Sequence, residues 1–247
     1  MQRFLMTFSY DGTNFNGYQK QPKMRTIQSE IEKALKKIND GKSVVIVASG
    51  RTDAKVHAYN QKAHFDLDLN ITTEKLTKAI NSLLPEDIYI KEIEKVSDDF
   101  EARFNVKAKE YIYKINLGEY NPLERNYVYQ YNKILDIVSI TRALKYLEGE
   151  HNFKAFTPAS ETKENYIRKI NQTNLIRDIK NLDNITIVFL GTGFLKYMVR
   201  NMVGTLIEIG EGKRKPEDIL TILENQDRNM AGKTASPEGL YLNDVYY

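Results

Sequence analysis

The sequence predicts an α+β fold built from two ferredoxin-like halves, 1–105 and 106–247, on three observations. The first half orders its apolar patterns β-α-β-β-α-β. The second half repeats alternating strand patterns and amphipathic helices less cleanly. No Ser-, Gly- or Pro-rich stretch separates the two near residues 98 to 108, so they are expected to share one mixed, mainly antiparallel sheet with helices on one face.

Each element has its own signal. Phe4, Met6 and Phe8 alternate with Leu5, Thr7 and Ser9 in a strand that stops at the turn Tyr10-Asp11-Gly12. Ile27, Ile31, Ala34, Leu35 and Ile38 recur at helical spacing behind Thr26, a residue type suited to capping. Val44 to Val47 is a short β-branched run ending in the polar loop Ser49-Gly50-Arg51-Thr52-Asp53. Ala63, Phe65, Leu67 and Leu69 then alternate with His64, Asp66 and Asp68 as a half-buried strand. Leu76, Ala79, Ile80 and Leu83 form a helix closed by Pro85, and a strand follows at Ile88 and Ile90.

In the second half, Tyr111, Tyr113, Ile115 and Leu117 read as a strand, Tyr127, Tyr129 and Tyr131 as another, and Ile137 to Leu147 as a helix. Strands are expected around Asn174 to Ile176 and Ile185 to Leu190. Leu195 to Ile209 carries the dense apolar stripe of a buried helix, Pro216 opens another, and Leu240 to Tyr246 closes with a strand.

Composition excludes several chemistries. The 247 residues contain no Cys, which removes disulfides, thiolate metal sites and Cys nucleophiles and fits an intracellular protein. His57, His64 and His151 are the only histidines, and their spacing matches no metal motif. No run of ~18 apolar residues exists to span a membrane or serve as a leader, so the expected location is the cytoplasm. With 36 basic against 33 acidic side chains, the net charge of +3 does not by itself announce a nucleic-acid partner.

Three constellations remain. Gly50-Arg51-Thr52-Asp53-Ala54 sets a carboxylate between two strands with a guanidinium two residues earlier, an arrangement that favours the ionised form a nucleophile needs. The plainer reading is a capped turn with a solvated Arg. Lys196 and Arg200 lie four apart beside the apolar stripe of the late helix, where they reach an anionic partner or snorkel. Among 16 tyrosines, Tyr111 and Tyr113 share one strand face, suited either to packing or to stacking on a nucleobase. The basic segments Lys20 to Arg25 and Lys213-Arg214-Lys215 read as solvated faces or as phosphate contacts.

Taken together and in order, several motifs resemble the TruA-type tRNA pseudouridine synthases. They are Tyr10-Asp11-Gly12-Thr13-Asn14-Phe15, Gly17-Tyr18-Gln19, Arg25-Thr26-Ile27-Gln28, Gly50-Arg51-Thr52-Asp53-Ala54 and Val56-His57-Ala58. The match continues through Asn81, Leu84-Pro85, Phe100-Glu101-Ala102-Arg103-Phe104, Tyr111, Met198-Val199-Arg200-Asn201-Met202-Val203-Gly204 and Gly239-Leu240-Tyr241-Leu242. The resemblance implies isomerisation of uridine to pseudouridine at tRNA positions 38 to 40, in the anticodon stem-loop. It implies a homodimer with a central active-site cleft, no cofactor or metal, and neither DNA nor a membrane as partner. It makes Asp53 the nucleophile, Tyr111 the ring that stacks on the target uracil, and Arg51 and Arg200 the arginines that hold the Asp or the flipped nucleotide. Arg200 is expected to support Asp53 across the join of the halves.

Two positions depart from the family pattern: Lys55 stands where it commonly has Gly, and Tyr18 where it commonly has Trp. Lys55 is either strained at a positive φ that the family's Gly served or, the favoured reading, in ordinary β geometry and placed to contact an RNA phosphate. The rival readings are a catalytically weak relative that binds and remodels tRNA, and an aspartate-dependent hydrolase of small molecules without RNA affinity.

Overall fold

The computed structural model describes residues 1–247 and divides into two compact units, Met1–Lys107 with Tyr241–Tyr247, and Ala108–Leu240. The first runs β1 (Gln2–Tyr10), α1 (Ile27–Ile38), β2 (Val47–Ala48), β3 (His57–Leu67), α2 (Thr73–Asn81) and β4 (Ile88–Lys95), the order read from the apolar pattern. β1, which buries Phe4, Met6, Phe8 and Tyr10, lies between β3 and β4 and pairs antiparallel with both, so that its backbone groups, cut off from water, are satisfied on either edge. α1 starts where expected. The Thr26 hydroxyl accepts from the Ser29 amide, Ser29 reciprocates, and Ile27, Ile31, Ala34 and Leu35 face inward. α2 is capped by Thr72, buries Leu76 and Ile80, and packs along β4. Asn81, at its end, exchanges two 2.8 Å hydrogen bonds with the backbone of Ile90, which pins helix to strand.

A strand is expected over Val44–Val47, but only Val47 and Ala48 pair, opposite His64 and Ala63. The reason is local: the Ile46 amide donates to the Glu32 carboxylate of α1 instead of to a neighbouring strand. β3 in turn begins at His57, earlier than its apolar alternation suggests.

The second unit runs β5 (Ala108–Asn116), β6 (Tyr129–Gln130), α3 (Ile137–Leu147), β7 (Gly149–Asn152), β8 (Ile167–Arg177), β9 (Asn184–Gly191), α4 (Met198–Gly210) and α5 (Asp218–Asn225). β5, β9, β8 and β7 pair antiparallel in that order, and α3 packs on β8, α4 and α5. The tyrosine strand expected at 127 to 131 shrinks to Tyr129–Gln130, parallel to the end of β5, because the Tyr127 amide turns back to the Glu124 carbonyl and Asn132 is left-handed at φ 59°. α4 starts at Met198 rather than Leu195, since Tyr197 takes φ 59° and cannot continue a helix.

The last strand, β10 (Leu240–Tyr246), differs from the expected division after residue 105. It pairs parallel with β3, Tyr241 opposite His57 and Leu242 opposite Ala58, so residues 241–247 complete the first unit. A parallel neighbour needs a long crossover, so sequence adjacency gives no hint of this partner.

Candidate active site

The Asp53 loop connects β2 to β3 on the β3 edge opposite β1. β2 occupies that edge at Ala63 and His64, β10 occupies it at His57 and Ala58, and the loop leaves and re-enters between them. Ser49 anchors the departure: its amide donates to the Lys62 carbonyl at 2.8 Å and its hydroxyl to Gln61 Oε1 at 2.7 Å, while Gln61 Nε2 donates to the Gly50 carbonyl. Asp53 is half-buried, Arg51 and Lys55 are exposed, and a tight turn closes from the Val56 amide to the Asp53 carbonyl at 3.2 Å.

A second segment, Asp11 to Tyr18, lies against this loop. The Tyr18 amide donates to the Thr52 carbonyl at 3.1 Å and the Lys55 amide to the Phe15 carbonyl at 3.2 Å. Gly17 takes φ +86°, and a Cβ there would sit 3.0 Å from the Thr52 carbonyl oxygen, so both its conformation and the closeness of the two segments require glycine. Tyr10 and Thr52 share a buried hydroxyl hydrogen bond of 2.8 Å. Burial pushes the Tyr10 phenol up to about 12, against the opposing Thr52 and Gln61 hydrogen bonds, and holds the Tyr18 phenol well above its usual value. Both phenols therefore stay neutral near pH 7, and neither sets a second anion beside the loop.

The clamping segment is itself braced. Arg25 makes a bidentate pair with Asp87 at 2.7 and 2.8 Å, and its guanidinium lies 4.0 Å over the Phe15 ring. Its place in a basic run suggests a solvated or phosphate-binding charge, yet it holds the clamp. Asp87, 62 residues away, is the partner that the local charge pattern does not reveal.

Lys55 corrects the expected geometry. It sits at φ 65°, in the left-handed region, and not in β geometry. Tyr18, the other departure from the family pattern, is fully enclosed, and its hydroxyl has no hydrogen-bond partner within the protein.

In the second unit, Tyr111 and Tyr113 share one face of β5 with different surroundings. Tyr113 is wholly buried and donates its hydroxyl to the Ser236 carbonyl at 2.7 Å, whereas Tyr111 meets Phe194 edge-on at 5.0 Å. Arg200 is half-buried in the first turn of α4. Its Nε donates to the Ala235 carbonyl at 2.8 Å, its own carbonyl accepts from the Ala235 amide, and its guanidinium lies 5.0 Å over Tyr197. Asn201 beside it is a buried hub: Nδ2 donates to the Phe156 carbonyl at 2.7 Å, and Oδ1 accepts from Thr234 Oγ1 at 2.6 Å and Arg228 Nη2 at 3.1 Å. Lys196 is about half exposed, its ammonium 3.8 Å from the Glu161 carboxylate and 5.6 Å over the Tyr197 ring. Lys213 and Arg214 are each paired with a nearby glutamate, Glu211 and Glu208. No cluster of three or more His, Asp or Glu side chains is placed to hold a metal ion, and no helix is long and apolar enough to cross a membrane.

Comparison with known proteins gives this geometry a context. The family model described as tRNA pseudouridine synthase matches residues 6–105 and 143–247. A tRNA pseudouridine synthase A of Anoxybacillus flavithermus is 45% identical over 247 residues, covering 100% of this chain and 99% of the relative. The enzyme of that name from Streptococcus mutans is 43% identical over 248 residues, with coverage of 100% and 99%. Among solved structures, the Cbf5-Nop10-Gar1 complex aligns with 82% of this chain and 54% of its own at TM-score 0.33 and 13% identity, too weak a likeness to bear on the fold.

Proposed function

Because this chain belongs to the tRNA pseudouridine synthase family and isomerises uridine to pseudouridine in tRNA, we propose that Asp53 is its nucleophile and that it acts at positions 38 to 40 of the anticodon stem-loop. The observation that carries the assignment is the mounting of Asp53: a half-buried carboxylate on a loop whose backbone is tied to a separate, braced segment. Fixing a nucleophile before substrate arrives removes the entropy of aligning it from the barrier.

The chemistry balances with groups of this kind alone. The N1–C1′ bond breaks, uracil rotates, a C5–C1′ bond forms, the C5 proton leaves, and N1 ends protonated. A carboxylate nucleophile serves either first attack, on the uracil ring or on ribose C1′, and no net oxidation occurs. The target base must leave the stem at a cost of a few kcal/mol, offset by phosphate contacts. Tyr111 is assigned to stacking on the uracil, and Arg51 and Arg200 to holding the flipped nucleotide. Arg200 fits this role because its Nε bond to the Ala235 carbonyl fixes the direction of a half-buried planar fork, the shape that suits a phosphate or a base edge. The enzyme is taken to work as a cytoplasmic homodimer without a cofactor.

The test is Asp53→Asn, which keeps the shape and removes the charge. Single-turnover pseudouridine formation on unmodified tRNA should fall by at least ~10³-fold with binding retained. Near-normal product would retire the assignment.

A further inference from the structure

Three main-chain amides stitch the Asp11–Tyr18 segment to the stretch from Thr52 to His57. Two of them, Tyr18 to Thr52 and Lys55 to Phe15, end on backbone carbonyls. The third, from Gly12, ends on a side chain: its amide donates to His57 Nδ1 at 3.1 Å. That bond sits at the tightest point of the seam, where a Cβ on Gly12 would collide with the Val56 carbonyl and the Lys55 backbone. Among these amide bonds it is the one that a substitution can remove without touching the main chain.

The His57 ring is 2% exposed and stacks on Tyr241 of β10 at 4.7 Å and 22°. A backbone amide can only donate, so Nδ1 is an acceptor and the neutral ring carries its proton on Nε2. Asp11 Oδ1 lies 3.2 Å from the same nitrogen and also accepts from the Thr13 amide at 2.9 Å and the Thr13 hydroxyl at 2.6 Å, so it ties the same turn to the ring's edge. The ring thus joins three pieces of chain at the root of the Asp53 loop: the turn after β1, the start of β3, and β10.

We propose that His57 is a positioning residue for the isomerisation, its Nδ1 holding the Gly12 amide so that the Asp11–Tyr18 segment fixes the Asp53 carboxylate in place. This rests on Asp53 being the nucleophile. His57 does not touch the nucleotide in this assignment. Its effect belongs in the chemical step and not in tRNA affinity, because a displacement of about 1 Å at a reacting group costs up to ~10²-fold in rate.

Two side-chain amides separate the acceptor from the bulk of the ring. The oxygen of an asparagine side chain at this position would fall where Nδ1 is, whereas that of a glutamine would fall near Nε2, so the variants are His57→Asn and His57→Gln. With enzyme in excess over tRNA, His57→Gln should lose ~10- to 100-fold in single-turnover rate and His57→Asn no more than ~3-fold, both binding tRNA within ~2-fold of wild type. Equal losses in the two variants, or a wild-type rate in His57→Gln, overturn the proposal. Should His57→Gln fail to fold, amide exchange decides it: Gly12 protected in wild type and in His57→Asn supports the proposal, and an unprotected Gly12 in a fully active His57→Asn refutes it. Asp53→Asn, run alongside, separates the failures. If that variant is active the nucleophile assignment falls, and if it is inactive while the His57 variants behave alike, only the positioning role falls.

Discussion

Next to Asp53 the ties are main chain to main chain, amides of Tyr18, Lys55 and Val56 ending on carbonyls with a glycine making the close approach, while the side chains of Tyr10, Gln61 and His57 hold the loop further out. Around Arg200 they run through side chains. Asn201 alone reaches Phe156, Thr234 and Arg228, and the Arg200 guanidinium itself holds the 235 segment. The two regions differ in what specifies them. A seam of backbone bonds is indifferent to most side chains on it, so residue identity there is free to serve chemistry. A seam made by one buried amide depends on that residue, and sequence and stability are tied together.

The largest expected effect breaks this comparison most directly. Asn201→Leu removes a fully buried hub and leaves the buried Phe156 carbonyl without its donor, while Arg228 Nη2 keeps its bond to the exposed Thr234 hydroxyl, so it should cost ~2–3 kcal/mol. Thr52→Val on the Asp53 loop loses one hydrogen bond to Tyr10, which retains an interaction with Gln61, and should cost only ~1 kcal/mol. Denaturant unfolding of both variants checks the contrast, and equal losses would erase it.

A smaller effect of opposite sign is expected at Tyr18. Its buried hydroxyl has no partner in the protein, so Tyr18→Phe should raise stability by ~1 kcal/mol while leaving its backbone bond to Thr52 intact. A loss measured by the same unfolding experiment would show that the hydroxyl is satisfied.

The smallest concerns Lys55. A left-handed non-glycine costs ~1–2 kcal/mol, and glycine returns part of that gain through the freedom of the unfolded chain. Lys55→Gly should therefore gain ~0.5 kcal/mol net. If Lys55 also meets a phosphate, the salt dependence of tRNA binding should flatten by about one ion at most. Unchanged stability would mean that the Lys side chain compensates its backbone.

What is readable in the sequence follows from distance along the chain. α1 is specified within its own residues, a cap and a repeating apolar face, and the structure starts it at Ile27 as the pattern requires. The Asp53 loop is legible as a motif but not as a geometry. Its clamp comes from residues far earlier in the chain through backbone atoms that carry no residue-type signature, and the brace on that clamp pairs Arg25 with Asp87 across 62 residues. The conformation of Lys55 escapes the sequence because nothing in a lysine announces φ 65°. His57 enters only as part of a motif, since a lone histidine at the start of a strand has no local pattern to mark it.

The parallel pairing of β10 with β3 sets an order of events during synthesis. β1 to β4 and the Asp53 loop leave the ribosome well before Tyr241 and Leu242, which pair with His57 and Ala58. At ~5–20 residues per second the intervening unit takes on the order of ten seconds or more to be translated. Through that interval the nascent chain presents an open strand edge beside its Asp53 loop, a point where chaperones have a reason to bind and where a prematurely terminated product stays visibly unfinished.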